Sequence, residues 1–303
     1  MTTPAAPETT STSRSDVTKN AGKDGPRRAP PPLRGQQRET QVDDDEDSGE
    51  RRAFSDVMLA FDVGGSFVKA GLVAVGSGMV VGEVLRRATP AGAAPETVLD
   101  LLVEMARELP TEGPVGLAFP AVAKNGVAWT AANIDKRWIG MNVQTHLQAR
   151  LQRPVAFLND ADAAGVAEMS MGAGRHRQEG TVMVLTLGTG IGSALFVDGR
   201  LLPNTELGHL EIGGREAEHR ASAKVRTEQQ LDWVEWATEL NVVLETYHAL
   251  LWPDVFIVGG GVTENWQHFG SLLNSRAEIV RAAFGNDAGL VGAAMAASRL
   301  SRA

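Results

Sequence analysis

From residue 57 onward the chain alternates short apolar runs with segments whose apolar positions recur at three-and-four spacing. "VMLAFDV", "KAGLVAV" and "MVVGEVLRR" predict a meander of three strands, "ETVLDLLVEMAREL" an amphipathic helix, and "PVGLAFP" a buried strand. "RPVAFLND" predicts a further strand running into the helix "ADAAGVAEMSMG". A second apolar series then opens at "TVMVLTLGTGIGSALFVDGRL", and "DVFIVGGGV" predicts a late strand ending in three glycines ahead of a helical segment. Laying residues 61–75 over 185–199 sets Gly64 over Gly188, with apolar runs on both sides of each glycine turn. One supersecondary unit is thus expected twice in a mixed α/β chain.

The first 55 residues follow neither period. They are Thr/Ser/Ala-rich, then Pro-rich at "APPPLRG", then acidic at "DDDEDSGE", which predicts a disordered tail. Nine basic and ten acidic side chains stand there, so the rest of the chain carries −7 of the formal −8. That balance argues against general affinity for nucleic acid and leaves any polyanionic ligand in need of a local basic groove. Lys136 with Arg137, Arg175 with Arg177, and Arg215, Arg220, Lys224 and Arg226 are the clusters that could form one, although each reads first as a solvated face. No apolar run is long enough for a membrane span, and no signal-peptide pattern opens the chain, so a cytoplasmic protein is expected. Cysteine is absent, which excludes disulfides and thiolate metal sites.

Glycine turns also serve ordinary hairpins, so their neighbours carry the chemical reading. Asp62 precedes the first turn and could hold a cation, Ser66 adds a hydroxyl, and Lys69 offers a charge. Thr186, Thr189 and the small residues around them leave backbone N–H groups open to an anion. Two such hairpins facing one another could clamp a chain of phosphates. Asn159 and Asp160 sit between a buried strand and a helix, where the carboxylate could accept a proton from a hydroxyl or the pair could simply cap the helix. Asn133, Glu206, His209 and Glu211 supply the amides, carboxylates and imidazole that suit a carbohydrate.

"FDVGGSFVKAG", "TAANIDKRWIG", "LNDADAAG", "LTLGTGIGSALFVDG", "NTELGHLEIGG", "WPDVFIVGGGV" and "NDAGLVGAA", in that order, resemble the ROK sugar kinases of the actin and hexokinase superfamily, and most of all their polyphosphate glucokinase branch. The resemblance implies a two-lobed, ribonuclease-H-like α/β fold with a duplicated βββαβα core around a central cleft. It implies an N-terminal lobe over 56–160 and a C-terminal lobe over 161–303, whose last helix packs back on the first. It implies transfer of a phosphoryl group from inorganic polyphosphate, and from ATP, to the 6-hydroxyl of glucose, in a homodimer that uses Mg²⁺ and binds neither nucleic acid nor membrane. Asp160 becomes the general base, with Asn133, Asn159, Glu206, His209 and Glu211 as sugar ligands. Asp62, Gly64, Gly65, Ser66, Lys69, Gly188, Thr189 and Gly190 go to the donor, Asp62 also to magnesium, and Gly259, Gly260 and Gly261 to the nucleotide. A strictly ATP-dependent hexokinase for glucose, mannose or an N-acetylated sugar would share these motifs, and a sugar-sensing ROK protein without activity would share the fold. The absence of cysteine departs from the zinc site of many ROK proteins, so no zinc is expected. Phe67 in place of a small residue, and Thr263 to Trp266 in place of a lysine-bearing segment, are departures that bear on the donor groove.

Overall fold

The computed structural model describes residues 56–132 and 134–301; the expected tail and Asn133 lie outside the described residues. The meander forms as β1 (Val57–Val63), β2 (Phe67–Ala74) and β3 (Met79–Ala88), followed by helix α1 (Pro95–Glu108) and strand β4 (Val115–Phe119). Helix α2 (Val143–Leu151), strand β5 (Val155–Asn159) and helix α3 (Asp160–Met171) complete the first half. The second half repeats the order: β6 (Thr181–Leu187), β7 (Ile191–Val197), β8 (Arg200–Leu202), helix α4 (Trp233–Leu251), β9 (Val255–Gly259), β10 (Glu278–Arg281) and helix α5 (Ala288–Leu300). The two sheets run β3-β2-β1-β4-β5 and β8-β7-β6-β9-β10. Each has a three-stranded antiparallel meander at one side and parallel pairing at the other. The duplication read from the glycine turns is therefore a duplication of whole sheets.

The period of two along each first strand decides what faces what. In β1, Leu59 and Phe61 face outward onto α1 and the core around Trp138, whereas Met58 and Ala60 face the middle of the molecule. In β6, Met183, Leu185 and Leu187 face outward onto Trp236, Leu240 and Tyr247 of α4, whereas Val182 and Val184 face the middle. Continuing each alternation by one step places Asp62 and Thr186 on the two inner faces, at matching points in the repeat.

Helices α3 and α5 fill the middle, and they cross over. Helix α3 leaves the first sheet yet packs on β6 and β7, while α5 leaves the second sheet and packs on β1, β4 and β5. Small residues let them meet: a Cβ added at Gly292 would collide with the Ala163 carbonyl, one at Gly116 with that of Ala293, and one at Gly165 with Ala194 and Phe196. The exchange joins the two halves through one shared apolar layer.

After the three glycines the expected helix does not continue. Gly260 takes φ 88°, and Gly261–Asn265 forms a 3-10 turn followed by the one-turn helix Trp266–Phe269. Thr263 donates its hydroxyl to the Gly260 carbonyl at 2.8 Å, tightening the chain there.

Candidate functional site

The cleft lies where the carboxyl ends of β1, β5, β6 and β9 converge. A cavity of about 290 Å³ is lined by Gly64, Gly65, Asn159, Asp160, Gly188, Thr189, Gly190, Glu206, His209, Gly260 and Gly261. A smaller one of about 130 Å³ shares Asp160, Thr186, Gly260 and Asn286 with it and adds Asp62 and Lys69. Most residues proposed from sequence thus meet in one place.

Asp160 opens α3, and the helix start fixes it. Asn159 caps the helix by accepting from the Asp162 N–H at 3.0 Å, and Asp160 Oδ1 accepts from the Ala161 N–H at 2.8 Å. Burial pushes the Asp160 carboxyl up to about 7, and the negative charges of Asp62 and Glu206 add to it against the backbone N–H donors. A carboxylate at that value is matched to proton transfer near neutral pH. The Asn159 amide also donates to the Ala121 carbonyl at 3.2 Å and to Glu206 Oε1 at 3.4 Å, so the cap is part of the cleft wall. The cap that Asn159 makes and the place of Asp160 in the cleft are thus parts of one arrangement.

Glu206 and His209 stand on a loop that is pinned from three sides. Ser193 Oγ donates to the Thr205 carbonyl at 2.7 Å, Tyr247 donates its hydroxyl to the Leu207 carbonyl at 2.7 Å, and Gly208 leaves no room for a side chain against Ile191. Asn204, in the left-handed region at φ 61°, ties this loop to the other half. Its amide accepts from the Ala123 N–H at 2.7 Å and donates to the Ala123 carbonyl at 3.1 Å, while its own N–H donates to Asp162 Oδ2 at 2.7 Å. Burial lifts the Asp162 carboxyl to about 6, with Glu206 adding to it and the Asn204 N–H opposing it. Burial likewise raises Glu206. For His209 burial acts downward, but the hydrogen bond to Glu216 and the charges of Glu218, Glu216 and Glu206 outweigh it and raise the pKa.

Around His209 the structure departs from the sequence expectation. Glu211 is exposed on the small hairpin Glu211–Ile212 with Arg215–Glu216 and does not line the cleft. The 3-10 turn Leu207–His209 reverses the chain before it. Glu218 lines the cleft instead, with Oε1 3.8 Å from His209 Nδ1 and Oε2 accepting from the Ile191 N–H at 3.4 Å. Glu216 Oε2 lies 3.2 Å from the same ring nitrogen. His209, Glu216 and Glu218 are the group of potential metal ligands found among the described residues. Nothing in the local pattern of "GGREAEHRA" marks Glu218, because it reaches the cleft only through the hairpin that precedes it.

On the donor side, Lys69 donates to Asp62 Oδ2 at 2.8 Å and to the Asn286 carbonyl. Gly289 leaves room for the Asp62 carboxylate, which a Cβ there would strike. Thr89 braces the first turn, donating its hydroxyl to the Gly64 carbonyl at 2.7 Å and its N–H to the Ser66 carbonyl at 3.0 Å. Ser66 is exposed and Gly259 is buried in β9 against Ala282, and neither lines the cleft. Asn286 is an addition from the start of "NDAGLVGAA". Asp62, Asp160, Thr186 and Asn286 bring oxygen ligands of the kind magnesium takes to one small cavity, whose lining also includes the Lys69 ammonium on Asp62.

The basic clusters that could have met a polyanion are largely engaged by the protein itself. Lys136 donates to the Ala131 carbonyl, and Arg137 pairs with Asp135 at 2.8 Å. Arg177 pairs with Glu278 at 2.6 Å, Arg215 and Arg220 both with Glu239, and Lys224 with Glu228 at 3.7 Å. Arg226 stacks on Trp233 at 3.5 Å.

The ROK family model matches residues 58–230, a span holding both glycine turns, Asp160, Glu206 and His209. The chain belongs to the ROK family. Among ROK relatives, a polyphosphate glucokinase of Mycobacterium tuberculosis (strain CDC 1551 / Oshkosh) is 44% identical over 239 residues, covering 78% of this chain and 90% of that one. The crystal structure of an inorganic polyphosphate/ATP-glucomannokinase from Arthrobacter sp. strain KM is 43% identical, with TM-score 0.77 over 81% of this chain and 99% of that one. A ROK glucokinase from Streptomyces griseus, in complex with glucose and AMPPNP, shares the fold at 23% identity and TM-score 0.67, over 80% of this chain and 99% of that one. The fold is thus the two-lobed α/β architecture of the ROK sugar kinases. No helix among the described residues is long and apolar enough to cross a membrane.

Proposed function

We propose that this chain is a glucokinase that transfers a phosphoryl group from inorganic polyphosphate, and from ATP, to the 6-hydroxyl of glucose. The observation that carries the reading is the buried Asp160, raised to about 7 at the start of α3, in a cleft walled by glycine turns on one side and by Glu206, His209 and Glu218 on another. The likeness to a mycobacterial polyphosphate glucokinase and to a polyphosphate/ATP-glucomannokinase supports both the sugar and the donor.

In this mechanism Asn159, Glu206, His209 and Glu218 hold the sugar hydroxyls and turn the 6-hydroxyl toward Asp160, which accepts its proton as the new phosphorus–oxygen bond forms. Backbone N–H groups of Gly65, Thr189 and Gly190 face the donor phosphates, those of Gly64 and Gly188 being used to close the two turns onto the Phe67 and Gly190 carbonyls at 2.9 and 3.0 Å, and Lys69 balances charge beside Asp62. Magnesium held by Asp62 would neutralise charge on the transferring group. Phosphoryl transfer asks a protein mainly for such positioning and charge stabilisation. Closure of the halves, taken as residues 56–160 and 161–303, would exclude water that otherwise hydrolyses the donor. The same reading makes the protein a cytoplasmic homodimer.

The test is a matrix of glucose and mannose against polyphosphate and ATP, scored for sugar 6-phosphate at low salt. Glucose 6-phosphate from polyphosphate is expected, and Asp160→Asn should lower turnover by about 10² or more. Turnover with ATP alone would overturn the donor, and full activity of Asp160→Asn would overturn the base.

A further inference from the structure

Phe67 opens β2 directly after the first glycine turn, and the residue is 40% exposed. That exposure has a partner. The Arg86 guanidinium sits over the ring, 3.7 Å from its centroid, within cation–π range.

Strand register explains the meeting. Asp62 pairs with Lys69 across β1 and β2, and Lys69 pairs with Arg86 across β2 and β3. Residues directly opposite in an antiparallel pair share a face, and Phe67, two residues before Lys69, lies on that face as well. Asp62, Lys69 and Arg86 therefore form one row that leads from the cavity across the sheet to its edge strand. The first two line the cavity, and Arg86 stands exposed beyond it.

Arg86 also differs from its strand neighbour and from most of the basic clusters named above. Its neighbour Arg87 is held by both oxygens of Glu108, at 2.9 and 3.2 Å, and most of the clusters named above are paired with carboxylates. Arg86 has no carboxylate partner among the described residues, only the ring. A guanidinium held over an aromatic face by its π electrons uses none of its N–H donors on that contact, which leaves the planar fork that matches phosphate oxygens.

We propose that Phe67 and Arg86 form a subsite for the part of a linear phosphate chain that extends out of the cleft past the reacting end. The inference rests on the polyphosphate reading and deepens it. A long chain of phosphates can be held at the reacting end and at Arg86 together. ATP carries its charge within three phosphates and ends in an uncharged base, so it presents no phosphate there. Phe67, the bulky departure beside the donor groove, acts as the support that keeps the cation in place.

The experiment measures KM for long-chain polyphosphate, tripolyphosphate and ATP at saturating glucose and low salt, in the unaltered protein, Arg86→Met and Phe67→Leu. Arg86→Met should raise KM for the long chain relative to KM for ATP by about three- to tenfold, the scale of one exposed charge-assisted hydrogen bond. The effect should fade for tripolyphosphate, and the salt dependence of the long-chain KM should become shallower. Phe67→Leu should move the same ratio less. Melting temperatures near that of the unaltered protein check that both variants fold, and Arg86→Lys, which keeps the charge without the fork, should fall between. An unaltered protein that uses polyphosphate beside an Arg86→Met variant with the same long-chain to ATP ratio overturns the subsite alone. An unaltered protein with no polyphosphate-dependent activity overturns the donor reading and the subsite with it.

Discussion

Asp62 and Asp160 face one small cavity from two different elements, the penultimate residue of β1 and the first residue of α3, and the charge of Asp62 adds to burial in lifting Asp160 to about 7. Two consequences follow for pH. As a base, Asp160 must be ionised, so kcat/KM should rise with pH through an acid limb near 7. Magnesium at Asp62 would offset the repulsion, so raising its concentration should move that limb to lower pH. A limb near the ordinary carboxylate value of about 4 would contradict the lift from burial and Asp62, leaving Asp160→Asn to test the base role itself.

Stability should move the other way. The folded carboxyls of Asp160, near 7, and Asp162, near 6, hold protons at pH values where the unfolded carboxyls have lost them. Stability from these groups is therefore present below about pH 4 and is lost as pH rises toward 7, at about 1.4 kcal/mol per pKa unit as an upper scale. Asp160→Asn should be more stable than the unaltered protein at pH 8 and differ little at pH 4. Thermal melts at the two pH values check it, and a variant destabilised equally at both would contradict the burial argument.

Much of this was legible because it is periodic or local. The alternation in "VMLAFDV" and "TVMVLTL" gives the strands and also puts Asp62 and Thr186 on inner faces, and Asp160 stands at a strand-to-helix junction that composition alone marks. What was hidden depends on distant partners. Glu218 comes to His209 through an intervening hairpin, whereas Glu211, two residues away in sequence, does not. Arg220 meets Glu239 across 19 residues, so the apparent basic cluster carries little free charge. Phe67 reads as bulk in a groove until strand register brings Arg86 over it. The exchange of α3 and α5 between sheets leaves only small residues as its trace.

Replacing Glu218 and Glu211 separates the two readings of the sugar site. Glu218→Gln should raise the KM for glucose about tenfold or more, because its carboxylate faces the cleft beside His209 and one charged hydrogen bond is worth about 1.5–3 kcal/mol. Glu211→Gln, on an exposed hairpin, should change it less than twofold. Equal effects of the two changes would return Glu211 to the site.

Glu168 is a buried carboxylate at the far end of α3, and it holds three backbone N–H groups: Ala173 at 2.9 Å, Ala283 at 3.0 Å and Phe284 at 2.8 Å. The last two belong to the segment that carries Asn286 to Lys69. Glu168→Ala leaves those donors unsatisfied and should cost about 3 kcal/mol or more in unfolding free energy. Glu168→Gln keeps one acceptor oxygen and should cost less. If denaturant unfolding shows Glu168→Ala within about 0.5 kcal/mol of the unaltered protein, the segment is held by other contacts.

The last prediction concerns metal. His209, Glu216 and Glu218 can each turn one ligand atom to within 4.8 Å of the others, which is three of the four ligands a tetrahedral zinc ion takes. No thiolate completes the set, since the chain has no cysteine, and all three side chains keep contact with water. Zinc bound there should be weak and readily lost, so purified protein should hold far less than one equivalent, and magnesium-dependent turnover should survive a zinc-selective chelator. Added zinc should still inhibit, because the side chains that would hold it are those that face the sugar. The inhibition should be competitive with glucose, relieved by excess sugar and unchanged by excess donor at fixed free magnesium. Elemental analysis and inhibition kinetics read the two parts separately. Stoichiometric zinc that survives dialysis, with activity lost on its removal, would show a structural metal; inhibition that glucose does not relieve would place the added ion at Asp62 and Asp160 instead.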